Sequence, residues 1–337
     1  MTSSRPSRKA GHARARRLSE LPILAPGSAR GYGPIFNAGV ITAGGRYHLF
    51  ARGVREGYRT NPSAGPRFLD YVSDVLVFTS SDGLHYEFQQ VLARSSSEGV
   101  HSFEDPRVQV VRSGGSEHVI MSYTNLPHPE SGRPWQIGVH RLVYEDGRFA
   151  LNRNSGRVIG PDGHPDKDAV LFNLRDGRVA LIHRIHPHMQ LALFDSLEAL
   201  YAAGPREWEP HLRELDRHTI IRAEGGVLGV GAGAPPVSTP EGLLLFYHER
   251  NARPEYTARV ALLDEGTGEV ISCLPEPVLR PELTWERKGD VDDVVFVQGA
   301  VPRPDGTIYL TYGAADRYVG AAVVDTGELV DALRAAA

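Results

Sequence analysis

Five times along this chain an apolar stretch runs into a glycine-containing turn and then a second apolar stretch, with polar or ionisable residues at both outer ends. The copies begin at Asn37, Glu104, Lys167, Gly233 and Asp292, and their turn glycines are Gly45, Gly115, Gly177, Gly242 and Gly306. Those glycines lie 70, 62, 65 and 64 residues apart. A repeat of that length holding one β-hairpin, with room for about two more strands, is the signature of a propeller blade. The chain is therefore expected to be all-β, a five-bladed β-propeller. In a hairpin the first residue of strand one and the last residue of strand two share an end. If the five hairpins are the inner strands, their polar ends gather around one mouth of the central channel. Asn37, Arg52, Glu104, Asp105, Lys167, Asp168, His183, Arg184, His248, Glu249, Asp293 and Asp316 would then form a ring of charge.

The regular repeat favours one domain over 21–337 rather than the two that 337 residues could hold. The first 17 residues carry Arg5, Arg8, Lys9, Arg14, Arg16 and Arg17, with no acid and no apolar core. They do not resemble a secretory signal, and residues 1–20 read as a solvated basic tail without fixed structure. A formal net charge of −4 with mixed signs provides no field for nucleic acid or a membrane surface, and no apolar run is long enough to span a bilayer. A lone cysteine, Cys273, excludes an internal disulfide and suits a reducing cytoplasm. Helix is expected only at Ser196, which can cap SLEALYAA, and at the C-terminal ELVDALRAAA.

Asp105, inside Glu104-Asp105-Pro106-Arg107, opens an apolar strand at the expected mouth. A neighbouring carboxylate would favour its protonated form and suit it to general-acid work, whereas the plain reading is an Asp-Pro turn. Lys167-Asp168 and His183-Arg184 should face each other across the third hairpin. Two cations and a histidine there suit an anionic or heavily hydroxylated ligand, and a salt bridge to Asp168 is the structural alternative. His186 and His188 lack further ligands at metal-site spacing, so no metal is expected. The glycines from Gly229 lack the Lys-Ser/Thr of a phosphate loop and read as a strand entry with close backbone approach.

At these same residues the chain resembles glycoside hydrolase family 130, the five-bladed β-mannoside phosphorylases and β-mannosidases. The likeness rests on Asn37 with Arg52, Ser81-Asp82-Gly83, Glu104 to Arg107, Lys167-Asp168, His183-Arg184, the Gly231 segment, Tyr247-His248, Val294 to Phe296 and Tyr312 to Asp316. It implies an inverting enzyme without cofactor, with Asp105 as general acid and its proton passed through a sugar hydroxyl. The substrate would be a β-linked mannoside oligosaccharide. Asn37, Arg52, His248 and Asp316 would grip the sugar, helped by Glu104, Asp168, His183, Tyr247 and Asp293. Lys167 and Arg184 would hold inorganic phosphate, the co-substrate of a phosphorylase. A homo-oligomer is also compatible with the resemblance.

Two departures bear on the nucleophile. The family's phosphorylases usually carry a lysine where this chain has Gly229, and a charge-assisted contact of that kind contributes about 1.5–3 kcal/mol. Glu249 follows His248 where a glycine is usual, and Glu224 lies just upstream of the glycine-rich entry. Either could serve as the second carboxylate that inverting hydrolysis requires. The sequence therefore leans to a β-mannosidase, with a phosphorylase releasing α-mannose 1-phosphate as the alternative. A silent carbohydrate-binding propeller is a third reading.

Overall fold

The computed structural model describes residues 13–62, 67–96, 100–152, 154–253 and 255–337. Short apolar runs separated by turns pair into five antiparallel sheets around a central axis. Blade I comprises Tyr32–Ala43, Arg46–Arg55, Ser73–Ser80 and Glu87–Ala93. Blade II comprises Ser102–Ser113, Ser116–Leu126, Gln136–Glu145 and Arg148–Leu151, and Arg157–Ile159 also pairs on its third strand. Blade III is built from Lys167–Asn173, Val179–Arg184, Met189–Phe194 and Thr219–Ile221. In blade IV the inner strand is broken into Val227–Ala232 and Val237–Thr239, followed by Gly242–Asn251, Tyr256–Leu263 and Val270–Cys273. Blade V holds Val295–Pro302, Thr307–Ala314 and Tyr318–Asp325.

The repeat thus maps onto blades as expected, and each sequence hairpin supplies two inner strands. Alternation along a strand sends successive side chains to opposite faces. In blade IV, Leu243, Leu245 and Tyr247 pack against blade III, while Leu244 and Phe246 pack against blade V. Equivalent apolar layers fill the interfaces of blades V with I, I with II, and II with III. The core is therefore a closed ring of five wedges rather than one central mass. The helices expected after Ser196 and at the C-terminus occur as Leu197–Ala202 and Thr326–Ala335, and the Ser196 hydroxyl accepts from the Ala199 amide. A further helix, Pro205–Arg213, follows the first.

The basic tail is shorter than the sequence suggested. Arg16 and Arg17 pair with Val323 and Ala322 as the outermost strand of blade V, so the beginning of the chain closes the last blade. The Arg17 guanidinium donates at 2.7 Å to both oxygens of wholly buried Glu286, and also to Glu282. A strand edge and a buried carboxylate, not solvation, settle these arginines. Residues 1–12 of the expected tail lie outside the described residues.

Removing Arg17 leaves Glu286 buried with only neutral donors, and a broken buried pair costs about 3 kcal/mol or more. The Arg17→Ala protein is expected to unfold at clearly lower urea concentration than the parent. An unchanged midpoint would show that the closing strand does not depend on this pair.

Candidate functional site

A local backbone device builds the channel mouth. Asn37, Asp105 and Asp168 sit in the inner strands of blades I, II and III, each where the pairing register slips by a bulge. All three adopt left-handed backbone, with φ of 45°, 53° and 55°. Asn and Asp tolerate this region far better than branched residues do, and a bulge re-aims its side chain out of the sheet's alternation. Asp293 and Asp316, with φ of 57° and 50°, use the same conformation at the ends of blade V. Asp105-Pro106 is therefore neither a plain turn nor a regular strand start.

All of these residues but Asp293 line a cavity of about 360 Å³. Its wall contains Asn37, Arg52, Glu104, Asp105, Lys167, Asp168, Arg184, His248 and Asp316 from the expected ring. Lys167 and Arg184 are directly cross-paired, as the hairpin reading required. Asp105 Oδ1 accepts from Asn37 Nδ2 at 2.8 Å and faces Arg52 Nη1 at 3.4 Å. Among the described residues its other oxygen takes no donor, so Oδ2 is the atom available to a ligand. Arg52 also binds Glu104.

One guanidinium therefore meets Glu104 and Asp105 directly and acts on Asp316 through its charge. Burial raises the Glu104 carboxyl above the ordinary range, although Arg52 pulls the other way and Asp105 adds to the rise. Burial likewise pushes Asp316 up to about 7, against Arg52 and with Asp105 and Glu104.

The opposite side of the cavity is cationic. Asp168 lies 3.1 Å from Arg184 Nη1, 3.3 Å from Arg107 Nη2 and 3.6 Å from His248 Nε2. Burial opposes its ionisation, but Arg184, Lys167, His248 and Arg107 together hold it below the usual carboxylate range. The salt-bridge reading of this hairpin is thus also realised. Burial drives His248 down to about 3 despite Asp168, so it presents a neutral imidazole to the cavity. Gly231 makes room for both groups, since a Cβ there would sit 2.3 Å from Asp168 Oδ2 and 2.5 Å from the His248 ring.

Five expected residues lie elsewhere. His183 is wholly buried behind the wall, with Nδ1 2.8 Å from Asp166 and Nε2 3.1 Å from His211, because strand alternation turns it away from Arg184's face. Tyr247 and Glu249 point oppositely to His248 for the same reason. Tyr247 packs between blades III and IV, and Glu249 pairs with Arg259. Glu224 is exposed on the loop before Val227 and does not line the cavity. Asp293 is not among the lining groups either; its carbonyl accepts from the Tyr256 amide.

Sequence reasoning missed Arg67, Phe68, Tyr71, Tyr256 and Val291 in the wall, which Val294 and Phe296 complete. Three of them come from the polar loop between the second and third strands of blade I. There Phe68 stacks on Tyr71 at 4.8 Å, and Tyr58 stands edge-on to both rings. Tyr58 thus backs the wall. Trp135 is 47% exposed and is not part of it. Among the described residues no helix is long and apolar enough to cross a membrane.

The Asp316 proton predicts a pH signature. The folded chain keeps a proton that the unfolded chain releases, so this group makes stability fall as pH rises from about 4 to about 7. Asp316→Asn mimics the protonated carboxyl. Its urea-unfolding free energy is expected to vary less steeply across that window than the parent's, and an equal slope would remove Asp316 from the account.

The sequence profile of glycoside hydrolase family 130, described as beta-1,4-mannooligosaccharide phosphorylase, matches residues 14–335. The chain is 32% identical over 318 residues to a beta-1,2-mannobiose phosphorylase of Thermoanaerobacter sp. strain X514, covering 93% of this chain and 97% of the relative. It is 29% identical over 320 residues to a 1,2-beta-oligomannan phosphorylase of the same organism, covering 93% and 98%. The solved beta-1,2-mannobiose phosphorylase of Listeria innocua, in complex with β-1,2-mannobiose, superposes with a TM-score of 0.74 at 20% identity. That superposition covers 95% of this chain and 99% of the other, a likeness of fold.

Proposed function

Starting from a chain that belongs to glycoside hydrolase family 130, we propose that it is an inverting β-mannoside phosphorylase rather than a β-mannosidase, with β-1,2-linked manno-oligosaccharides as its substrates. The observation that carries this reading is the placement of the carboxylates. Inverting hydrolysis needs a base about 6.5–9.5 Å from the acid, with a water held between them. Glu249 is turned away from the cavity and paired with Arg259, and Glu224 lies outside it. Of the cavity's other acids, Glu104 is bound to Arg52, Asp168 to Arg184 and Arg107, and burial holds a proton on Asp316 up to about pH 7. What faces the sugar site from the other side is Lys167 and Arg184, a pair suited to a phosphate dianion. The sequence-based lean to hydrolysis rested on the lysine missing at Gly229 and on Glu249 and Glu224 as candidate bases, and neither carboxylate lines the cavity. The β-1,2 linkage rests on the two Thermoanaerobacter relatives, which match nearly end to end.

In this mechanism a phosphate oxygen, held by Lys167 and Arg184, forms a bond to C1 of the terminal mannosyl unit. The C1–O bond to the rest of the oligosaccharide breaks on the opposite face. The departing oxygen takes a proton supplied from Asp105, directly or through a sugar hydroxyl, and Asp105 is left ionised beside Asn37 and Arg52. The products are α-mannose 1-phosphate and a mannoside shortened by one unit. Asn37, Arg52, His248 and Asp316 hold the mannosyl hydroxyls. No metal or organic cofactor takes part in these steps. The non-catalytic alternative leaves the open oxygen of Asp105 without a use.

The reading is tested by initial rates on β-1,2-mannobiose over a range of phosphate concentrations. A saturable dependence that extrapolates to no turnover without phosphate is expected, and a rate independent of phosphate would overturn it. Glu249→Gln and Glu224→Gln should retain activity within about threefold. Asp105→Asn should lose about 10³-fold or more in kcat, in line with the loss of a general acid. A Glu249→Gln protein as inactive as Asp105→Asn would restore the hydrolase.

A further inference from the structure

Resting on the phosphorylase reading, we infer that Arg250 is a third phosphate-binding cation, taking the part that Gly229 leaves open. Arg250 is the penultimate residue of the blade IV strand Gly242–Asn251, two residues beyond His248, and so stands on the same face. Its guanidinium carbon lies 5.9 Å from the centre of the Tyr256 ring, which is part of the cavity wall. The His248 ring is 6.0 Å from that same ring, and Arg184 Nη1 is 3.5 Å from His248 Nε2. Arg184, His248 and Tyr256 therefore follow one another along the wall, and Arg250 stands just beyond them against Tyr256.

Across the strand pair Arg250 faces Gly229, which itself carries no side chain. The space over Gly229 is taken by His186, whose ring would lie 3.2 Å from a Cβ at that position. Among the described residues neither Lys167 nor Arg250 has an ion pair, although 41 acids and 37 lysines and arginines are spread over the chain. The imidazole of His186 is pushed down by burial and further by Arg184, Arg250, Lys167 and His188, so it feels the charge of each. Lys167 and Arg250, without ion pairs of their own near a cavity that Arg184 also lines, are suited to a multiply charged oxyanion, and a planar guanidinium binds two of its oxygens at once. The lysine absent at residue 229 is thus replaced from the neighbouring strand by a longer side chain, braced on Tyr256.

The test is a calorimetric titration of inorganic phosphate into the full chain, the Arg250→Gln variant and the Arg250→Lys variant. Arg250 is exposed, so these substitutions leave the core alone. Arg250→Gln is expected to bind phosphate at least about tenfold more weakly, with Arg250→Lys intermediate, because a point charge is kept while the fork is lost. In turnover assays Arg250→Gln should raise KM for phosphate by a similar factor and leave KM for β-1,2-mannobiose within about twofold. Equal phosphate affinity in the parent and Arg250→Gln overturns the inference, as does a parent that binds no phosphate. Phosphate-independent turnover by the parent is a separate result, which counts against the phosphorylase reading itself.

Discussion

The wall of this site depends on a buried guanidinium. Arg107 is the bulkiest wholly buried side chain of the described residues. It donates to the carbonyls of Asp105, Ala232 and Gly233 at 2.9, 2.7 and 2.8 Å, and to Asp168 at 3.3 Å. The bulges that aim Asp105 and Asp168 into the channel interrupt the sheet ladder, and buried carbonyls freed from a ladder need donors. Arg107 supplies them for blades II and IV. Gln298 does the same for Asn37 and Pro106, at 3.1 and 2.9 Å. Each buried group left without such a partner costs about 1–3 kcal/mol, so the left-handed site residues persist only because these donors hold them.

The same centre organises charge. Acids cluster around Arg52 on the blade I, II and V side, and cations cluster around Asp168 on the blade III and IV side. A leaving group that needs a proton and a nucleophile that carries negative charge make opposite demands on their surroundings. In the proposed mechanism a ring of blades would separate the two across one sugar, because each blade contributes its own polar end to a different sector. Asp168 is the one acid on the cationic side. It is held ionised by Arg184, Lys167, His248 and Arg107, and so offsets their mutual repulsion.

The architecture was legible in the sequence because hairpin spacing repeats and turn glycines mark it. Nine residues of the expected ring reach the cavity for the same reason, as strand ends at a common mouth. The errors at His183, Tyr247 and Glu249 have a single cause. The sequence pattern locates a strand end, but only register decides which of two consecutive residues faces the channel, and the bulges shift that register without a composition signal. Arg107 was visible within Glu104-Asp105-Pro106-Arg107, yet nothing local distinguishes a buried staple from a surface arginine. Arg17 was hidden because its partners, Glu282 and Glu286, lie about 265 residues away. Tyr71 and Phe68 belong to a loop whose position is fixed from outside it, by Asp290 accepting from the hydroxyls of Tyr58 and Tyr71.

The central claim is that phosphate, not water, receives the mannosyl group, and with inversion. It is tested most directly by following β-1,2-mannobiose and phosphate by proton and phosphorus NMR from the first turnovers. The account predicts α-mannose 1-phosphate and free mannose in equal amounts from the outset. Two mannose molecules per disaccharide with no phosphorylated sugar, or a β-configured phosphate ester, would contradict it.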